Sequence, residues 1–423
     1  MVASIDQAAA ILSNLEATIG IKSAIVYAQF VPVSMANGPD FAQREAQFTE
    51  TLTQYLKGES LTGEGQTSPV GAAPRRNLQG NPSQAQIQAQ TQAQMTDELE
   101  LLVILPNGSA TRKRLNVTRG QLIPIADRFR REVTDPRKTW SKTYLGPAQD
   151  LHRWLIEPIE AELTAQGIEN LSFILDSGLR SLPLAALHNG QSFLVERYSL
   201  GLMPSLSLID SRYKDIRKAE ILAMGASKFE SQADLPAVEA ELELLTKQLW
   251  KGKALLNEAF TLTNLIQARQ QRPFGIVHLA THGEFRAGRV DQSFIQLWDQ
   301  KLQLHQLRQL GFSNPAVELL VLSACRTALG DPEAELGFAG LALEAGVKSA
   351  LGSLWQVSDS GTLALMTQFY RQLKQVPIKA EALRQAQISL LKGKNAGSTD
   401  LAQKQDLSHP YFWSAFTLVG NPW

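Results

Sequence analysis

Two short segments of the chain end in side chains able to do covalent chemistry. Phe274-Gly-Ile-Val-His-Leu-Ala-Thr-His-Gly283 is an apolar run closing on His282-Gly283, and Val317-Glu-Leu-Leu-Val-Leu-Ser-Ala-Cys325 is another closing on Cys325, the single cysteine of the chain. The thiolate is the nucleophile, and a nearby histidine is the usual means of raising its fraction near neutral pH. Gly283 has its own use. Without a Cβ its backbone can approach a substrate, and its N–H can help hold a carbonyl oxyanion. Taken singly, a cysteine at the end of a buried strand is more often an inert core thiol, and a strand-end histidine is more often structural. Both together, each closing an apolar run and each followed by a turn-like stretch, favour a dyad.

Other chemistries find no support. His278 and His282 are four apart, but no HExxH pattern, helical context or third ligand accompanies them. No metal is therefore expected, and His278 is expected to point into the core. One cysteine excludes an internal disulfide and a Cys-based metal cage. The GxSxG elbow of serine hydrolases, the dinucleotide GxGxxG and the P-loop are all missing. The 41 Lys+Arg and 41 Asp+Glu leave no net charge, which removes the electrostatic case for nucleic acid or an anionic membrane surface. No apolar run approaches the roughly 18 residues of a membrane-spanning helix. The opening residues MVASIDQAAA lack the basic and apolar regions of a signal peptide, so a cytoplasmic protein is expected.

For His282 and Cys325 to meet, their strands must run the same way in one sheet. From residue 220 onward the pattern favours this. Apolar strands are expected at 221–225, 254–257, 274–280, 294–298, 317–323 and 349–354, with helices near 237–250, 261–270, 303–310, 335–345, 358–375 and 379–392. Near-continuous apolar strands between amphipathic helices imply a mostly parallel sheet covered on both faces, with its chemistry beyond the carboxyl ends of the strands. The first half is less regular. A helix at 5–17 and a strand at 23–30 come first, then a hairpin around Pro106-Asn107-Gly108, in which Asn-Gly suits the positive φ angles of a two-residue turn. Helices follow at 119–133 and 148–166, with Pro158 kinking or splitting the second, then a strand at 170–175 and short apolar pieces at 182–187 and 193–203. Seven glutamines lie between Gln79 and Gln94 in a stretch almost free of large apolar residues. It cannot bury enough to offset its ordering entropy, so 57–97 is expected to be a disordered loop. The expected units are 1–56, the 57–97 loop, an N-terminal half over 98–218 and a catalytic half over 219–423. At 423 residues, two or three units is the ordinary expectation.

An apolar strand ending in His-Gly, followed 43 residues after the histidine by Ala-Cys, resembles the dyad pattern of caspase-like cysteine peptidases, with Ser323-Ala-Cys-Arg-Thr327 in place of Gln-Ala-Cys-Arg-Gly. The chain more closely resembles the CHAT domain, a caspase-like domain often found behind tetratricopeptide repeats. Its phrases occur in order: Asp176-Ser-Gly-Leu-Arg-Ser-Leu-Pro-Leu-Ala-Ala-Leu187, His278-Leu-Ala-Thr-His-Gly283, Leu322-Ser-Ala-Cys-Arg-Thr-Ala-Leu-Gly330, Gly337-Phe-Ala-Gly-Leu341, Ala345-Gly-Val-Lys-Ser-Ala350, Ser353-Leu-Trp-Gln-Val-Ser-Asp359 and His409-Pro-Tyr-Phe-Trp413. The resemblance covers about 23–423. It implies an α/β, caspase-like three-layer sandwich, its mostly parallel central sheet flanked by helices and preceded by a smaller α/β pseudo-caspase half.

Carried over, the resemblance makes Cys325 the nucleophile, His282 the general base and acid, and the N–H groups of Gly283 and Cys325 the oxyanion hole. Ser353, Leu354 and Trp355 correspond to the strand that pairs with substrate backbone. Asp359, Asp331 and Glu335 follow close by and could shape an acidic pocket favouring Lys or Arg before the scissile bond, although Asp359 and Glu335 also suit helix N-caps. No cofactor or metal is implied. The partners implied are a protein or peptide substrate and a regulatory protein, of tetratricopeptide-repeat or other type, since no such repeat is seen here. No cleavable linker is evident between Cys325 and Ser353, so maturation by cutting there is not expected. Two functions are open: a cysteine endopeptidase, or a signalling or scaffold domain that binds a protein without cutting it. The intact pair of His282 and Cys325 favours the first.

Overall fold

The computed structural model describes residues 4–35, 40–56, 94–285, 293–303, 306–307, 310–327, 346–393 and 406–423. Residues 57–93 of the Gln-rich stretch, the helix expected at 335–345, Asp331 and Glu335 lie outside the described residues.

The strands are β1 (Ser23–Val31), β2 (Glu98–Ile104), β3 (Ala110–Thr118), β4 (Asn170–Leu175), β5 (Ser199–Leu202), β6 (Ile221–Gly225), β7 (Gly252–Leu256), β8 (Ile276–Phe285), β9 (Phe294–Gln296), β10 (Lys301–Gln303), β11 (Leu319–Thr327), β12 (Ser349–Ser353) and β13 (Phe416–Gly420). The helices are α1 (Ile5–Ile19), α2 (Phe41–Leu56), α3 (Arg119–Thr134), α4 (Leu145–Leu155), α5 (Glu157–Ala165), α6 (Leu194–Arg197), α7 (Ala237–Glu243), α8 (Leu262–Gln271), α9 (Asp359–Leu373), α10 (Lys379–Leu391) and α11 (Pro410–Trp413).

One sheet runs through both halves, in the order β7-β6-β8-β11-β12-β13-β5-β4-β1-β2-β3, with β9 and β10 continuing from the end of β8. β7, β6, β8, β11 and β12 are mutually parallel. β13 then reverses direction against β12 and leads into the parallel run β13-β5-β4-β1. Every residue of β1, β4, β6 and β12 is buried, as strands covered on both faces must be.

Local chemistry sets several boundaries. Pro158 splits its helix as expected: α4 ends at Leu155 and α5 restarts with the proline in its first turn, where a missing N–H costs nothing. The hairpin forms, but with a three-residue loop. Leu105 N–H donates to Ser109 O at 3.0 Å and Gly108 N–H to Leu105 O at 3.1 Å. Only Gly108 takes a positive φ there, 85°, while the Asn107 side chain accepts from the Ser109 N–H. A three-residue loop whose last residue is a left-handed glycine is the next most common hairpin connection after the two-residue turn. The helix expected from 303 does not begin there, because Gln303 ends strand β10 and pairs with Phe294.

β13 was not expected from the sequence, and it joins the halves. It pairs with β12 from Ser349↔Gly420 to Ser353↔Phe416, and Val419 pairs with Leu202 of β5. Gly420 has φ +97°, and a Cβ there would lie 2.4 Å from Lys348 O. We expect Gly420→Ala to cost about 2–3 kcal/mol, from positive-φ strain plus the forced shift. The urea midpoint measures this, and an unchanged midpoint would mean that the β12–β13 joint yields freely.

Candidate active site

β8 and β11 are neighbours with no strand between them, in parallel register from Leu319↔Ile276 to Thr327↔Phe285. Both run past the apolar stretches legible in the sequence, so the chemical residues lie within the ladder: Ala324 pairs with His282 and Cys325 with Gly283. Adjacent strands lie about 4.8 Å apart, which puts the His282-Gly283 and Ala324-Cys325 backbones side by side. Between Leu322↔Leu279 and Ala324↔His282, β8 supplies one residue more than β11, so Ala280 and Thr281 both stand opposite Ser323. An extra residue of this kind bends a strand and re-aims the side chains beyond it. Here it gives the two histidines different surroundings. It is also where β8 changes neighbour, from β6 through Ala280 to β9 from Gly283. Thr281 Oγ1 donates to Gln296 O at 2.6 Å and pins that joint.

His282 is half-buried, with Nε2 2.7 Å from Ala233 O and its ring 4.6 Å from that of Phe229. A carbonyl can only accept, so Nε2 carries the proton and Nδ1 is the basic nitrogen. Both braces come from the segment between β6 and α7. A cavity of about 270 Å3 opens beside His282 and Gly283, with Ser323, Ser353, Gln356 and Val357 on its walls. Cys325 follows Ser323 by two residues and pairs with Gly283, so its backbone lies directly beside one lining position; its side chain is outside the described residues.

Asp359 also lines the cavity. The N-cap of α9 is Ser358, whose Oγ accepts from Gly361 N–H, while Asp359 Oδ2 accepts from Ala237 N–H, the first of α7, at 2.7 Å. Burial raises its carboxyl above the ordinary value. The Ala237 bond opposes that rise, Glu241 adds to it, and His282 draws it down. Of the expected backbone-pairing residues, Ser353 reaches the cavity. Leu354 and Trp355 are buried, with Leu354 N–H donating to Ala415 O at 2.7 Å and Trp355 Nε1 to Tyr411 O at 3.1 Å. Gln356 and Val357 form the wall in their place.

His278 is core, as expected, and fully buried. Its Nδ1 is 3.0 Å from the Tyr370 hydroxyl and its Nε2 is 3.2 Å from Glu241 Oε1. Ser323 Oγ donates to Glu241 Oε2 at 3.3 Å. Sequence reasoning missed Glu241. It stands among Glu239, Glu241 and Glu243, and nothing in that run marks which glutamate turns inward.

The CHAT domain family profile matches residues 145–421. The chain belongs to the CHAT domain family. Two solved structures of the Saccharomyces cerevisiae separase–securin complex superimpose with TM-score 0.50 at 10% identity, covering 99% of this CHAT chain and 31% of that one. The chain thus spans about a third of the separase it matches. The Arg specific cysteine proteinase gingipain R of Porphyromonas gingivalis aligns at TM-score 0.41 and 12% identity, over 72% of this chain and 74% of its own. No curated protein matches by sequence. The fold is caspase-like, a mixed and mostly parallel sheet with helices. Among the described residues, no helix is long and apolar enough to cross a membrane.

Proposed function

We propose that this CHAT chain is a cysteine endopeptidase with Cys325 as nucleophile and His282 as base. The observation that carries the reading is the register of β8 and β11, which sets Ala324-Cys325 against His282-Gly283 at the carboxyl ends of neighbouring parallel strands beside a cavity. Nδ1 of His282 takes the thiol proton as sulfur bonds to the peptide carbonyl carbon. The backbone N–H groups of Gly283 and Cys325 hold the resulting oxyanion. The proton then passes to the leaving amine as the C–N bond breaks, and water hydrolyses the thioester with His282 again as base. Substrate docks beside Ser353, against the wall formed by Gln356 and Val357.

The cavity lining supports a cationic residue before the cut. Glu241, Glu284 and Asp359 border it, and among the described lining residues there is no lysine or arginine. The further partner is a protein, a reading supported by the separase structure being a complex with securin.

Digestion of a broad peptide library, read by mass spectrometry for the wild type and Cys325→Ala, tests this function. Fragments dependent on Cys325, most of them cut after Arg or Lys, are expected. A library left intact by the wild type would favour a domain that binds without cutting.

A further inference from the structure

Glu241 is the most deeply buried of the three carboxylates that border the cavity, and the catalytic steps do not use it. Only 3% of it is exposed, an unusual position for a carboxylate unless it is paired, yet it borders the cavity. The sheet holds it from behind. His278 Nε2 stands 3.2 Å from one oxygen, and Ser323 Oγ, 3.3 Å away, donates to the other. His278 is itself fixed by the Tyr370 hydroxyl on α9, at 3.0 Å. Tyr370 is anchored in turn, its carbonyl accepting from Trp250 Nε1 at 3.2 Å. The cavity therefore has one carboxylate bonded by the Ser323 hydroxyl, with the His278 ring 3.2 Å from its other oxygen. A second, Asp359, projects from the start of α9 and is tied to the first N–H of α7.

At about 270 Å3 the cavity is smaller than pockets for drug-sized ligands, which begin near 300 Å3, and suits a single side chain. Leu235, Val238 and Val357 give it apolar wall for an aliphatic stem. An ammonium is a compact point charge, whereas a guanidinium presents five N–H donors in a planar fork and can serve carboxylates on two edges at once.

We propose that Glu241 is a specificity-determining residue that, with Asp359, receives the guanidinium of an arginine side chain, and that His278 is the positioning residue that fixes it. This inference rests on the peptidase reading of the cavity. Loss of one charge-assisted contact to a buried carboxylate is worth roughly 10- to 100-fold.

The test uses peptidyl acyloxymethyl ketones differing only in the residue next to the reactive group: arginine, lysine or the neutral isostere citrulline. Their inactivation rates are measured on the full chain, with the thermal midpoint of each variant checking its fold. In the wild type, arginine should lead lysine and citrulline. Glu241→Gln should lower the arginine-to-citrulline rate ratio 10- to 100-fold, and Glu241→Asp should restore part of it. His278→Gln should lower the same ratio, which a merely structural role would not move selectively. An unchanged ratio in Glu241→Gln, with the arginine probe still reacting, overturns the role of Glu241 and leaves the peptidase reading standing. A wild type that takes iodoacetamide at Cys325 and cuts library peptides but takes none of the three probes overturns the arginine pocket, and one that also leaves the library intact overturns both.

Discussion

Iodoacetamide should alkylate Cys325 readily at pH 6, and His282→Ala should slow that reaction about 10- to 100-fold. The chain has one cysteine, so native labelling has one target and the adduct needs no site assignment. An unassisted thiol with pKa near 8.5 is only about 0.3% thiolate at pH 6. A histidine that accepts its proton removes most of that deficit, and the register of Ala324↔His282 and Cys325↔Gly283 sets the backbones of the two residues on neighbouring strands. The gap between wild type and His282→Ala should close as pH rises above 8.5, where the thiol ionises unaided. On peptide substrates Cys325→Ala should lose at least about 1000-fold. The double variant should lose little more than either single one, because residues acting as one unit do not add. Equal labelling of wild type and His282→Ala at pH 6 would refute the dyad.

The largest expected effect on stability comes from Lys379. This α10 residue is fully buried, and its ammonium donates to Trp423 O. Burial pushes its pKa from 10.5 down to about 7, against the pull of Glu318 and with the repulsion of Lys348. Proton counts set the sign. Between about pH 7 and 10.5 the unfolded chain holds a proton that the folded chain releases, so stability rises with pH across that window. Below pH 7 both states are protonated and the penalty is constant. At 1.36 kcal/mol per unit the full rise is on the order of 5 kcal/mol. Lys379→Met should abolish this rise while losing about 1 kcal/mol for the bond to Trp423 O. The difference in urea midpoints between pH 7 and pH 9.5, wild type against variant, measures it. Parallel pH profiles would show that Lys379 stays charged in the folded chain.

Many of the elements, and the shared direction of the two strands that carry the dyad, were legible in the residues alone. Apolar runs such as 221–225 and 170–175 became β6 and β4 with the same bounds, Pro158 split its helix, and the two strand ends that carry His282 and Cys325 were placed in one parallel sheet. These features are local. A run of apolar residues or a missing N–H acts on its own neighbours, whatever the rest of the chain does.

Tertiary structure decided what depends on distant partners. β13 is short and resembles many other apolar pieces until Lys348 O and Leu202 give it two edges to fill. The extra residue at Ala280–Thr281 exists only relative to Ser323 across the ladder. Which nitrogen of His282 is basic depends on Ala233, 49 residues away. Among three glutamates spaced two apart, Glu241 is selected because His278 and Ser323 lie under that face of α7 and no other. Composition and spacing name the groups that can react, while packing chooses the one atom that faces each of them.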